Sequence, residues 1–74
     1  MTSYFVVMID HGRRGFEAVV DPEITRQGVI DRIRSREYDR INFIHHIHDG
    51  VAEDVTNEML AAAGFYQREV EHAR

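Results

Sequence analysis

The segment YFVVMI, residues 4–9, decides the fold, because both of its alternating sets of side chains are apolar. The two sets point to opposite faces of a strand and consist of Tyr4, Val6 and Met8 on one face and Phe5, Val7 and Ile9 on the other. A short run of this kind, rich in aromatic and β-branched residues, is typical of a central strand covered on both sides. We therefore expect the remaining elements to assemble around this strand.

Two further strands are predicted beside it. The turn DHGRRG, residues 10–15, leads to FEAVV, residues 16–20, which indicates a β-hairpin with the central strand. The segment RINFIHHIH, residues 40–48, alternates as a third strand, with Ile41, Phe43, His45 and Ile47 on one side and Asn42, Ile44, His46 and His48 on the other. The first side is the more apolar, so we expect the first helix to cover it together with Phe16, Ala18 and Val20.

The first helix is predicted within DPEITRQGVIDRIRSREY, residues 21–38. Thr25 suits the N-cap, and Ile24 and Val29 have the spacing of a hydrophobic staple. The apolar residues that follow fall on one face of a helix that should end near Arg36.

The second helix is predicted over DGVAEDVTNEMLAAAG, residues 49–64, because valine, methionine and alanine recur there at helical spacing. Asp49 suits its N-cap, and Gly64 suits the C′ position with Phe65 packing back against Leu60. The helical pattern also continues past Gly64, so residues 65–74 remain ambiguous.

The predicted order is β-β-α-β-α, which makes residues 1–74 a single small α+β domain. A right-handed crossover through the first helix gives a three-stranded, mainly antiparallel sheet in the order 2-1-3, packed with two helices. The pattern leaves open whether the second helix crosses to the other face of the sheet or both helices share one face.

The composition limits what can stabilise this fold. The chain has 74 residues and no cysteine, so its core is small and neither a disulfide nor a thiolate metal site can support it. Self-association and metal binding through histidine and carboxylate remain. The absence of cysteine fits a reducing compartment, and the longest apolar run is too short to span a membrane. We expect a soluble cytoplasmic protein of bacterial or phage type.

The charge lies in the second part of the chain. Residues 41–74 carry two arginines and six acidic residues, a difference of −4, whereas residues 1–40 carry seven of each. This distribution argues against binding to nucleic acid or to anionic lipid. It admits a small acidic, phage-type inhibitor of a nucleic-acid-binding protein that imitates phosphates with Glu53, Asp54, Glu58, Glu69 and Glu71.

The histidines of INFIHHIHDG, residues 41–50, form a candidate metal site. His46 and His48 are two apart on a strand and point to the same side, so they can chelate one zinc or nickel ion, with Asp49 adding a carboxylate. The alternative is that both histidines lie on the rim of the strand and that Asp49 only caps the next helix. His11 is expected at the opposite end of the sheet, outside this cluster.

No arrangement of residues indicates catalysis. The serine and threonine hydroxyls lie in no nucleophile elbow and have no base at a telling spacing. No glycine-rich cofactor loop follows a strand, and a domain this small rarely encloses a large pocket. We therefore predict no enzymatic activity and no cofactor apart from the metal considered above.

One apolar side of the sheet stays uncovered if both helices share the other side. We therefore predict an interaction or regulatory module that binds a protein partner, with a homodimer formed by sheet stacking or through an exposed edge strand. The expected interface residues are Tyr4, Val6, Met8, Val19 and Ile44.

Overall fold

The protein is a four-stranded antiparallel sheet with two helices, as seen in a computed structural model that describes residues 3–65. The strands are β1 (Ser3–Asp10), β2 (Phe16–Val20), β3 (Ile41–His48) and β4 (Val51–Asp54), and the helices are α1 (Arg26–Arg34) and α2 (Thr56–Ala62), with a 3-10 turn at Gly12–Arg14. The sheet order is β2-β1-β3-β4. The α+β class, the two helices and the antiparallel sheet are confirmed, whereas the prediction of three strands in the order 2-1-3 is wrong because it lacks β4.

The predicted central strand is central. Val7 of β1 pairs with Val19 of β2 on one side and with Ile44 of β3 on the other, and both pairings are antiparallel. The register between β1 and β3 shifts between Met8 and Ile9. This irregularity changes which residues of β3 share a face with β1.

The β3–β4 hairpin replaces the beginning of the predicted second helix. Asp49 and Gly50 have φ values of 52° and 74°, and His48 pairs directly with Val51 across this two-residue turn. Two left-handed residues match the twist of a hairpin, and Asp-Gly is a strong signal for such a turn. The prediction that Asp49 caps a helix is therefore wrong. It rested on the helical spacing of the valines that follow, and it gave too little weight to the Asp-Gly turn.

The start of α2 is fixed to the sheet by Thr56. Beyond the last pair of the hairpin, His45 with Asp54, the Thr56 hydroxyl accepts a hydrogen bond from the Ile44 N–H at 2.8 Å. The same hydroxyl donates to the Asp54 carboxylate at 2.6 Å, which also accepts from the Thr56 N–H at 2.9 Å. The Val55 N–H donates to the Ile44 carbonyl at 2.9 Å. These bonds connect the residues after β4 to β3, beyond the end of the β3–β4 hydrogen-bond ladder.

The first helix begins as predicted. The Thr25 hydroxyl accepts a hydrogen bond from the Gly28 N–H at 3.0 Å, which caps the helix. Ile24 packs against the core, and α1 ends at Arg34, slightly before the predicted end near Arg36. The reason is local, because Arg36 has a φ of 70° and so cannot continue a right-handed helix.

The end of α2 also follows the prediction. Gly64 has a φ of 97°, its N–H donates to the Ala61 carbonyl at 3.0 Å, and the Phe65 N–H donates to the Leu60 carbonyl at 2.8 Å. This is the paired hydrogen-bond pattern of a Schellman cap with glycine at C′. α2 therefore ends before Gly64, and the alternative of a helical pattern that continues past Gly64 falls on residues 66–74, which lie outside the described part of the chain.

Both helices pack on one face of the sheet. The core consists of Phe5, Val7, Ile9, Val29, Ile30, Ile33, Tyr38, Ile44, Val55, Met59 and Ala63. The helices therefore cover the side of the sheet that includes Ile44, which is 0% exposed. The prediction that α1 covers Phe43 and Ile47 is wrong. The register shift after Met8 pairs Ile41 with Ile9, so of the predicted apolar set of β3 only Ile41 packs against the core.

Replacing Gly50 with Ala should lower the free energy of unfolding by about 1 kcal/mol, because alanine resists the left-handed conformation. If Gly50 lay in a helix, the same substitution would raise the free energy of unfolding, because alanine is more favourable than glycine in a helix by about 1 kcal/mol. Urea denaturation measures the change, and Gly50→Asn is the matched control because asparagine tolerates this conformation better. Stabilisation by Gly50→Ala would contradict the hairpin.

Replacing Thr56 with Val should lower the free energy of unfolding at pH 7 by about 1–3 kcal/mol, because the buried Ile44 N–H loses its partner. Thr56→Ser keeps the hydroxyl and should retain most of the stability. Urea titrations of the three proteins give the comparison. Equal stability of the valine and serine variants would show that the hydroxyl contributes nothing.

The pKa of Asp54 should make part of this stability depend on pH. The hydrogen bonds from the Thr56 hydroxyl and N–H, with a smaller contribution from the charge of His45, hold the Asp54 pKa below its ordinary 3.8. The unfolded chain takes up this proton first as the pH falls, so the stabilisation is complete at neutral pH and is lost as the pH falls below 3.8 through the folded pKa. The difference between wild type and Thr56→Val should therefore shrink in acid, and a constant difference from pH 7 to below the Asp54 transition would contradict this coupling.

Candidate functional site: an open sheet face and a histidine cluster

The side of the sheet opposite the helices carries a continuous apolar surface. We call it the open sheet face, and its apolar members are Tyr4, Val6, Met8, Phe16, Ala18, Val20, Phe43, Ile47 and Ala52. Two of them are among the most exposed large apolar side chains of the described residues, Phe16 at 62% and Val20 at 47%. Both described helices pack on the other side. A soluble chain rarely leaves so large an apolar patch without a use.

The predicted interface residues divide between the two faces. Tyr4, Val6 and Met8 lie on the open sheet face, where they are partly buried by their neighbours. Val19 and Ile44 point the other way, into the core beneath the helices. Their assignment to the interface is corrected, because strand alternation places them on the same side as Val7, with which both are paired.

His45 is the basic group of the open sheet face. Its ring stacks on the Phe43 ring with centroids 4.1 Å apart, and it lies directly across from Asp54 on β4. The sequence places His45 among core residues, but the helices cover the opposite face. His45 thus gives this apolar surface a polar group, with the Asp54 carboxylate, which is hydrogen-bonded to Thr56, on the neighbouring strand.

His46 and His48 lie on the opposite side of β3, as predicted, and their rings are 4.7 Å apart. The β3–β4 turn brings Glu53 directly across from His46. The Nε2 atom of His48 lies 3.2 Å from the Glu53 carboxylate, and one ligand atom from each of the three side chains lies within 4.8 Å of the others. We call this group the histidine cluster.

The third group of the histidine cluster is Glu53, where the sequence predicts Asp49. Asp49 lies beside the cluster instead, with its carboxylate 3.7 Å from Nδ1 of His48. Sequence reasoning missed Glu53 because it assigned this residue to a helix. The Asp-Gly turn was the signal that could have found it, since a two-residue hairpin places Glu53 opposite His46.

His11 lies at the other end of the sheet, as predicted. Asp10 pairs with Phe16 there, whereas Ser3 pairs with His48 at the end that holds the cluster. Nε2 of His11 lies 2.8 Å from the Glu17 carboxylate, at the rim of an open cleft of about 330 Å³ lined by Ile9, His11, Glu17, Val19, Glu37, Tyr38, Asp39 and Arg40.

The acidic residues proposed to imitate phosphates do not share one surface within residues 3–65. Glu53 and Asp54 point to opposite faces because they are neighbours on β4. Glu58 pairs with Arg26 at 2.9 Å. Glu69 and Glu71 lie outside the described residues. The three described carboxylates thus form no single acidic surface.

Comparison with known proteins places this chain in no family: no family model matches it, and neither the curated proteins nor the solved structures give a significant match. Within residues 3–65, neither helix has the length and apolar character needed to cross a membrane. The open sheet face and the histidine cluster are therefore the features of the described residues that indicate a function.

Proposed function

We propose that this protein is a small, non-enzymatic interaction module that forms a homodimer through the open sheet face. The observation that supports the proposal is the one-sided core. Both described helices cover the same side of the sheet, while Phe16 and Val20 on the other side remain 62% and 47% exposed. Covering this face removes apolar surface from water, which is the main favourable contribution to protein association.

The size of the face suits a second copy of the chain. The four strands contain eight, five, eight and four residues. At a rise of about 3.4 Å per residue and a strand spacing of about 4.8 Å, they give a projected area of roughly 400 Å². Projecting side chains make the accessible area larger, so two such faces together approach the size of the smaller specific interfaces, about 1,000 Å².

The charges on the open sheet face also allow two copies of it to meet. In a two-fold dimer each copy presents the same patch to the other, so a block of one charge would repel. This face instead carries His45 on the interior strand β3 and Asp54 next to it on the edge strand β4, so groups of opposite charge type lie side by side. Stacking at the usual sheet separation of about 10 Å would interleave the apolar side chains of the two copies and produce an eight-stranded sandwich.

Substitution with lysine tests the stacking arrangement. Val20→Lys lies on an edge strand and Ile47→Lys on an interior strand, and both place a charge within the open sheet face. Each should weaken dimerisation at least ~10-fold, because the charge would be buried without a partner. Sedimentation velocity at about 1–100 μM measures the change, and circular dichroism verifies that the variants fold.

Val51→Lys is the matched control. Val51 is 53% exposed, but it shares the side of His48, so its substitution should leave the dimer unchanged. A wild-type protein that stays monomeric at about 100 μM would overturn the proposal. Weakening by Val20→Lys alone would indicate pairing through the edge strand β2, which contradicts stacking of the open sheet face.

A further inference from the structure

We infer that the histidine cluster is a binding site for a divalent transition-metal ion, with zinc as its representative. The ligands are one nitrogen each from His46 and His48 and a carboxylate oxygen from Glu53. The site is on the opposite side of the sheet from the proposed dimer interface, so it is independent of that proposal. Two imidazoles and one carboxylate form the ligand set of several open zinc sites, which leave a fourth position for water or another ligand.

The distances fit tetrahedral coordination after small side-chain movements. Ligand atoms about 2.0–2.1 Å from zinc lie roughly 3.3 Å from one another in a tetrahedron. The His48 nitrogen and the Glu53 oxygen are already 3.2 Å apart, and the whole set lies within 4.8 Å. Closing the site requires the three ligand atoms to move closer together, and the exposed Glu53 side chain is the most free of the three to move.

The core orders the His46 ring. The His46 ring stacks on Phe5 with centroids 4.5 Å apart and planes 17° from parallel, and Phe5 is buried in the core. Arg26 lies over the same Phe5 ring at 5.9 Å, and its guanidinium pairs with Glu58 at 2.9 Å. A metal ion would therefore enter a site in which the His46 ring is already ordered.

Asp49 would orient His48 without binding the metal itself. Its carboxylate lies 3.7 Å from Nδ1 of His48, while Nε2 of the same ring faces Glu53. Metal-bound histidines commonly donate their second ring N–H to a carboxylate, which fixes the tautomer and strengthens the ligand. We therefore assign Asp49 a positioning role and Glu53 the coordinating role.

Isothermal titration of the whole protein with zinc tests the site, and the expected result is one ion per chain. His48→Asn and Glu53→Gln should each weaken binding more than about 10-fold, since even groups that only orient a ligand contribute about 10–100-fold to affinity. Asp49→Asn should weaken it less than Glu53→Gln. His45→Asn is the matched control, because His45 is the neighbouring histidine on the other face and its loss should leave the affinity unchanged.

Nuclear magnetic resonance of the imidazole groups identifies the ligands directly. Zinc should shift the ring resonances of His46 and His48 and leave those of His11 and His45 in place. Magnesium should shift none of them, because it prefers oxygen ligands. Acidification should release the zinc, because protons compete for the imidazole nitrogens.

Two results would overturn the inference. One is the absence of any shift of the His46 and His48 resonances with zinc at up to about 1 mM, well above the free concentrations at which protein zinc sites fill. The other is wild-type affinity in both His48→Asn and Glu53→Gln. The Val20→Lys variant separates this inference from the dimer proposal, since a monomeric variant should still bind zinc with wild-type affinity.

Discussion

The two described helices are too short to cover both apolar faces of the sheet, and the rest of the structure follows from this constraint. β1 is apolar on both sides and pairs with a strand on each edge, so it requires cover above and below. The described chain supplies helices of only nine and seven residues, and both contribute to the one core that contains Val7 and Ile44. One layer of helices closes one face of the sheet, and the second apolar face follows from that limit.

The Asp-Gly turn has more consequences than its two residues suggest. It converts the start of a predicted helix into β4, and this widens the open sheet face by adding Ala52 and Asp54. On the other side it moves Glu53 next to His46 and His48. The same turn shortens α2, which then needs the hydrogen bonds of Thr56 to hold it against β3.

The two proposed sites lie on opposite faces of the sheet, and each would stabilise a small domain. A domain of 74 residues without cysteine has a small core and no disulfide to reinforce it. Stacking of the open sheet face would double the buried layer, and a metal ion between β3 and β4 would tie the edge strand to the sheet. Neither requires the other, because alternation along β3 sends Ile47 to one face and His46 and His48 to the other.

The sequence by itself determined the elements whose signals are local. The doubly apolar run of β1, the Thr25 cap, the Gly64 cap and the same-side pair of His46 and His48 each depend on neighbouring residues, and the structure has all four. The Asp-Gly turn is also a local signal, but the helical spacing of the residues that follow led to the prediction of a helix there.

Only the tertiary structure decided which face of the sheet is covered. Both sides of β1 are apolar, so burial energy alone barely distinguishes them, and the choice came from the register shift after Met8 and the anchoring of α2 at Ile44. These are long-range pairings that no single segment encodes. They placed Val19 and Ile44 in the core and left Phe43 and Ile47 on the open sheet face.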